Sequence, residues 1–150
     1  MSDYQVLVVC NHCGRENRVL LRQDTTGKAS CGYCRRQLMK VIRIEGYVYV
    51  LSHPSMPNLL KIGMTTKSVE ERARSLAAAT SLPGPFKIEA YFPTEFPQKH
   101  EKAVHEVLKT YREFSKREFF RISVDEALHW MRIVCGLEPT IVRGGKPNNR

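Results

Sequence analysis

The sequence predicts an α+β fold in which a small cysteine-rich β module precedes a larger domain of three strands and flanking helices. Two cysteine pairs near the start and three later β-branched or aromatic runs support this fold class. With 150 residues and 42% hydrophobic content, the chain can bury one core, so a second unit has to be very small. We place the small module at 1–40, the main domain at 41–136, and a basic tail, expected to be mobile, at 137–150.

Composition favours an intracellular protein that binds a polyanion. The formal net charge is +9, and clustered Lys and Arg gain affinity by releasing counterions from phosphates. The first ten residues, MSDYQVLVVC, carry an acid where a secretory signal has basic residues. No apolar run approaches the ~18 residues that span a bilayer. We therefore expect a cytoplasmic location and no membrane partner.

The cysteine module predicts a structural zinc site. Two C-x-x-C pairs are separated by seventeen residues, and in a reducing cytosol this spacing favours metal over disulfides. Four thiolates fill the coordination shell of Zn²⁺, which leaves no open position for catalysis. Gly14 and Gly32 are expected to give the two turns their backbone freedom. The segment then resembles a zinc ribbon, a β-hairpin module with these ligands: Cys10, Cys13, Cys31 and Cys34.

The first half of the main domain predicts a hairpin followed by a helix. Residues 46–52 and 59–64 have strand character and are separated by the turn-forming HPSMPN. Ser68 followed by Glu71 forms a capping box, which begins a helix that continues to about residue 79. A third strand is expected at 86–92.

The second half predicts two more helices. Pro97 suits a first helical position, and Ser123 with Glu126 makes another capping box. Glu101 and His105, one helical turn apart, lie at the shoulder of an apolar stripe. At 100° per residue, that stripe contains Val104, Val107, Leu108 and Tyr111.

Five ordered segments resemble the GIY-YIG nuclease superfamily, in particular its small stand-alone phage and bacterial branch. They are GYVYVL, KIGMTT, SVEERARSL, HEKAVHEVL and REFF, and the resemblance covers about residues 45–128. It implies a small three-stranded antiparallel sheet flanked by helices. It also implies that the chain cuts DNA phosphodiester bonds with a single divalent ion, Mg²⁺ or Mn²⁺.

The resemblance places a catalytic set on this chain. Tyr49 matches the tyrosine of the first motif, Gly63 the glycine of the second, Arg72 the arginine of the following helix, and Glu101 the metal-binding glutamate. Phosphodiester hydrolysis needs a group that orients or deprotonates water, a cation for the developing charge and a carboxylate for the metal. Tyr49, Arg72 and Glu101 would supply these in turn.

The chain also departs from that pattern. Lys61 stands where the second motif has its tyrosine, and we expect it to bind phosphate. No clear match exists for the asparagine that many members carry after the glutamate's helix. Glu118, within REFF, takes the place of that asparagine and is a candidate for a residue that supports the catalytic side chains. His105 is a further supporting candidate.

Three functions stay open at this point. The first is a metal-dependent DNA endonuclease whose zinc ribbon aids nucleic-acid binding. The second is a catalytically inactive nucleic-acid-binding module on the same fold, and the third is a zinc-ribbon adaptor for protein interactions. Nothing in the sequence indicates a base preference, DNA rather than RNA, a biological pathway or an oligomeric state.

Overall fold

The computed structural model describes residues 3–115 and 117–142 and confirms an α+β protein with antiparallel sheets. The chain divides into two compact units, Met1–Arg43 and Ile44–Arg150. Most of the tail predicted to be mobile, residues 143–150, lies outside the described residues. Its start is ordered, because Thr140–Ile141 pairs with a strand of the second unit.

The first unit consists of two β-hairpins. Strand β1 (Tyr4–Val9) pairs antiparallel with β2 (Glu16–Leu21), and β3 (Gly27–Ser30) pairs with β4 (Gln37–Val41). One C-x-x-C pair lies in the loop of each hairpin. The two loops thus carry all four predicted metal ligands.

The second unit is built on a five-stranded antiparallel sheet in the order β8-β6-β5-β7-β9. The three-stranded sheet expected from the sequence is not confirmed, since two-residue strands extend it at each edge. The strands are β5 (Gly46–His53), β6 (Met56–Thr65), β7 (Lys87–Thr94), β8 (Phe119–Phe120) and β9 (Thr140–Ile141). The helices are α1 (Val69–Ala79), α2 (Pro97–Val107) and α3 (Val124–Cys135), with a 3₁₀ turn at Lys109–Tyr111.

The central strand β5 is buried on both faces. Val48 and Val50 belong to the core that includes residues of α2 and α3. Tyr49 and Leu51 point the other way, into a second core with residues of α1. Successive side chains alternate between the two faces of a strand, so one run of apolar residues serves both cores.

Helix α2 buries a different arc from the one predicted. Pro97, Val104 and Leu108 are buried and lie within about 40° of arc, whereas Val107 is 38% exposed. The buried side is therefore rotated away from Val107 and towards Glu101. This rotation brings the Glu101 side of the helix against the sheet.

The serine half of each predicted capping box forms, whereas the partners of the two glutamate carboxylates are Lys67 for Glu71 and Tyr111 for Glu126. The Ser68 and Ser123 hydroxyls each accept a hydrogen bond of 3.2 Å from the N–H three residues on. Pro97 is the first residue of α2. Over residues 3–115 and 117–142, no helix is long and apolar enough to cross a membrane.

Candidate metal centre and candidate nucleic-acid-processing site

The four predicted cysteines converge in the first unit. Their Sγ atoms all lie within 4.8 Å of one another, and the Cys10–Cys34 and Cys13–Cys31 pairs are each 3.7 Å apart. A tetrahedral zinc ion with Zn–S bonds of about 2.3 Å places its sulfurs about 3.8 Å apart. The cluster is therefore close enough to hold a metal ion and is compatible with Zn²⁺.

The two cysteine loops repeat one backbone pattern. In each loop, the N–H of the first cysteine donates to the carbonyl five residues later, at 2.9 Å for Cys10 and 2.8 Å for Cys31. The residue after the second cysteine donates back to the first cysteine's carbonyl, at 2.8 Å from Gly14 and 3.0 Å from Arg35. Such closed loops direct both thiols of a pair to one point.

The residues that turn these loops are Gly14 and Arg35, with φ of 71° and 63°. This corrects the expectation for Gly32, whose φ is not positive. The residue that follows the second cysteine must be left-handed in both loops, and only the first loop has glycine there. Arg35 accepts a conformation that costs L-residues roughly 1–2 kcal/mol.

Backbone N–H groups favour the thiolate form of two ligands. Those of Cys34 and Tyr33 lower the pKa of Cys31 to about 6. Those of Cys13 and His12 lower the pKa of Cys10. Because the thiolate is the metal-binding species, these hydrogen bonds favour cation binding at Cys10 and Cys31. At Cys13, against the Arg15 N–H, burial and the neighbouring cysteines raise the pKa to about 11.

Asn17, which the sequence analysis did not single out, joins the two loops. Its Nδ2 donates to Cys31 Sγ at 3.5 Å and to the Arg15 carbonyl at 3.0 Å. Its Oδ1 accepts from the Gly32 N–H at 2.9 Å. Residues that orient ligands in this way tune metal affinity, but no spacing rule in a sequence reveals them.

A second cluster of chemically active side chains lies on the α1 face of the large sheet. Tyr49 on β5 is fully buried, and its Oη accepts a 3.5 Å hydrogen bond from Nε of Arg72 on α1. Gly63 is the cross-strand partner of Tyr49. A Cβ at Gly63 would lie 2.5 Å from that Oη, so the glycine leaves the space that the hydroxyl occupies.

The Tyr49–Arg72 pair is held in its protonated form. Burial raises the pKa of Tyr49 against the opposing effect of Arg72, and the hydrogen bond to Tyr49 raises the pKa of Arg72. Tyr49 therefore remains a neutral phenol at physiological pH. Since its side chain has no exposed surface, it contacts Arg72 rather than solvent.

Lys61 and Glu118 form an ion pair beside this hydroxyl. Lys61 Nζ lies 3.0 Å from Glu118 Oε2, with the two side chains 12% and 41% exposed. Lys61 faces Phe119 across the β6–β8 ladder, and its Nζ is 5.0 Å from that ring centroid. The same Glu118 oxygen lies 3.2 Å from the Cβ position at Gly63, which places the ion pair next to Tyr49.

Glu101 and His105 reach the cluster by covering the edge of β6. Strand β8 pairs only with Leu60 and Lys61, so β6 continues beyond it. There the Met64 N–H donates to the Glu101 carboxylate, and His105 Nε2–H donates to the Ile62 carbonyl at 2.8 Å. Side chains of α2 thus replace a neighbouring strand along this edge.

Charged groups of this cluster shift the pKa values of their neighbours. Burial raises the pKa of Glu101, and the Glu118 carboxylate raises it further, against His105, the Met64 N–H and Lys61. Glu101 and Glu118 both act on Tyr49 and Arg72 as well. The structure therefore brings together the six residues singled out from the sequence: Tyr49, Lys61, Arg72, Glu101, His105 and Glu118.

Two cavities open next to this cluster. One of about 700 Å³ is lined by Lys61, Glu118, Phe119 and Phe114 among others. Another of about 360 Å³ is lined by Arg72 and residues that follow Gly63 on the chain. Phe114 was missed in the sequence analysis, because a single aromatic residue after a helix carries no pattern.

Glu101 belongs to no cluster of three or more metal-binding side chains among the described residues, so a divalent ion held there would have to keep most of its own water. Among residues 3–115 and 117–142, the four cysteines are the one group of three or more clustered Cys, His, Asp or Glu ligands. Mg²⁺ is commonly held by only one or two carboxylates together with waters and substrate phosphates. Glu101 offers one such carboxylate, whereas the neighbouring cations Arg72 and Lys61 favour an anionic group such as a substrate phosphate.

The family comparison corrects the resemblance drawn from the sequence. No model of the GIY-YIG superfamily matches the chain. The model that does match describes the T5orf172 domain, over residues 46–135, from the first residue of β5 to the last of α3. No curated protein and no solved structure matches. Since the matched segment covers more than half of the chain, the protein belongs to the T5orf172 domain family, a domain associated with nucleic acids.

Proposed function

We propose that the protein is a metal-dependent endonuclease that hydrolyses phosphodiester bonds of DNA at the site on β5, β6, α1 and α2. The observation that carries this proposal is the part-buried hydrogen bond from Arg72 to Tyr49, on which the Glu101 carboxylate acts electrostatically. A net charge of +9 and a nucleic-acid-associated family support DNA as the partner. The four-cysteine unit binds Zn²⁺ as a structural ion and contributes to nucleic-acid binding.

Each side chain has a distinct part in this proposal. Arg72 neutralises charge that develops on the attacked phosphate, and Tyr49 fixes the guanidinium in place. Glu101 would hold a single Mg²⁺ or Mn²⁺, which would supply further positive charge at the phosphate. Lys61 binds a neighbouring phosphate once the substrate competes with Glu118 for its ammonium. His105 keeps the β6 edge in register with α2.

The test is a cleavage panel with Mg²⁺ or Mn²⁺ over duplex, single-stranded and branched DNA and over RNA. We expect the wild-type chain to cut DNA and Glu101→Gln to lose at least 100-fold in rate, the order of effect of removing one electrostatic catalytic group. Glu113→Gln is the matched control, because Glu113 pairs with Arg121 and does not act on this cluster. Cutting that survives Glu101→Gln contradicts the assignment of the metal ligand.

One observation favours a second candidate, a nucleic-acid-binding module without hydrolysis. Tyr49 is buried away from solvent, and Glu118 forms an ion pair with Lys61. Both residues could therefore serve only to stabilise the fold, without taking part in hydrolysis. The same panel separates the two functions. Salt-sensitive binding of DNA without cutting in either metal favours the binding module.

A further inference from the structure

The 700 Å³ cavity beside the Lys61–Glu118 pair is lined by both aromatic and polar residues. Phe114 and Phe119 contribute aromatic surface, and Phe114 is 48% exposed. Thr80 and Ser81, which follow α1, bring hydroxyl groups to the lining. An apolar planar ligand with polar edges matches such a lining, and the volume lies within the ~300–1,000 Å³ range of small-ligand sites.

Cations lie over both aromatic rings. The Arg117 guanidinium is 5.7 Å from the Phe114 ring centroid, and Lys61 Nζ is 5.0 Å from that of Phe119. The Arg117 N–H also donates to the Phe114 carbonyl at 3.1 Å, so one turn holds both residues. Aromatic platforms combined with backbone-tracking cations are the usual means by which proteins hold unpaired nucleotides.

We propose that this cavity binds one unpaired nucleotide of the substrate, with its base stacked on Phe114 and its phosphate towards Lys61. The inference rests on the proposed function, because Lys61 and Glu118 belong to both the cavity and the hydrolytic site. A base that is still paired in a duplex cannot present its face to a side chain. The preferred substrates are therefore single strands, flaps and branches rather than continuous duplex.

The test measures binding of the full chain to a single-stranded oligonucleotide that contains 2-aminopurine, without added Mg²⁺ or Mn²⁺. Stacking on an aromatic ring changes the fluorescence of this base analogue. We expect Phe114→Ala to weaken binding roughly 5- to 100-fold and to abolish the fluorescence change. Phe114→Tyr, which keeps a ring, retains both.

Phe96→Ala is the matched control. Phe96 is also exposed, with Lys99 Nζ 5.8 Å from its ring centroid, but it does not line the cavity. It should leave both the affinity and the fluorescence change as in the wild-type chain. Circular dichroism of each variant confirms that the chain remains folded.

The outcomes separate this inference from the proposed function. Unchanged affinity and fluorescence in Phe114→Ala overturn the nucleotide site, even if the wild-type chain cuts DNA. A Phe114-dependent fluorescence change in a chain that cuts no substrate supports the nucleotide site and contradicts the endonuclease. Equal affinity for a continuous duplex and a single strand also overturns the inference.

Discussion

At Glu101, burial and a second carboxylate act in the same direction. Both raise the pKa of this group, burial more strongly than Glu118. Because only the ionised carboxylate binds a cation, the proposed metal binding and cutting should increase as the pH rises through that pKa. The acidic limb of the pH–rate profile is thus expected above the pH at which an ordinary glutamate ionises.

Glu118→Gln should move that limb to lower pH. The substitution removes a neighbouring negative charge, so the pKa of Glu101 falls towards its ordinary value. The pH dependence of kcat/KM and a ¹³C NMR titration of the Glu101 carboxylate measure the shift. Glu113→Gln should leave the profile where it is, and an acidic limb that moves to higher pH in Glu118→Gln would contradict this electrostatic account.

Arg35 offers a stabilising change in the metal-binding unit. Its left-handed backbone costs a non-glycine residue roughly 1–2 kcal/mol, part of which glycine's greater freedom in the unfolded chain offsets. Arg35→Gly should therefore raise the free energy of unfolding of the zinc-loaded unit by about 0.5–1 kcal/mol, measured by denaturant titration. Arg36→Gly, at a position without positive φ, should lower it.

At the scale of elements, helices α1 and α3 begin with equivalent serine caps, but only the cap of α1 lies close to a residue of the candidate site. The Ser68 and Ser123 hydroxyls both accept at 3.2 Å, but only α1 carries a residue of the candidate site. Arg72 belongs to the first turn of α1, where its N–H donates to the Ser68 carbonyl at 3.1 Å. The orientation of the guanidinium thus depends on the start of this helix.

Ser68→Ala and Ser123→Ala should each lower the free energy of unfolding by about 1 kcal/mol, the usual loss for a serine cap. Only Ser68→Ala should also reduce the rate of DNA cutting, since fraying of that turn displaces Arg72. Thermal unfolding and cleavage assays on the two variants measure the two effects separately. Equal loss of cutting in both would mean that α1 has no special role.

The elements that the sequence predicted well are those with a strong local signal. The hairpin, the two capped helices and the proline that begins α2 follow from side-chain chemistry within a few residues. The edge strands β8 and β9 have two residues each, too few to show a period of two. The exposed Val107 shows a different limit, since packing against the sheet decides which arc of a helix is buried.

At the scale of the whole molecule, the two units rely on different sources of stability. Met1–Arg43 contains four short strands. Several of its large hydrophobic side chains are exposed, among them Tyr4, Leu7 and Tyr33. We expect a unit of this size to bury too little apolar surface to fold without metal. The second unit has apolar cores on both faces of its sheet.

Removal of zinc by a strong chelator should therefore unfold the first unit and leave the second folded. Trp130, the single tryptophan of the chain, lies on α3 and reports on the second unit. Its fluorescence should not change, while amide NMR signals of β1–β4 lose their dispersion. A change in the tryptophan fluorescence when zinc is removed would contradict the independent folding of the two units.

A chain that begins at Ile44 should bind DNA more weakly and retain Mg²⁺-dependent cutting.

The candidate site could be predicted from the sequence as a set of residues but not as a set of contacts. The spacing of the four cysteines in the sequence predicts a shared metal site, and their sulfur atoms lie close enough together to form one. The contact of Arg72 with Tyr49 and that of Glu118 with Lys61 join residues 23 and 57 positions apart. Only strand register and helix docking determine which of these distant side chains meet.

The outer edge of β6 has a consequence for how the site can be altered. A strand edge with free N–H and C=O groups invites pairing with a strand of another chain, and here α2 side chains occupy such groups at Ile62 and Met64. We therefore expect Glu101 and His105 also to hinder pairing of this edge with another chain. Replacing Glu101 by Ala would remove an acceptor as well as a charge, whereas Gln keeps the acceptor. Only the second change separates lost catalysis from lost solubility.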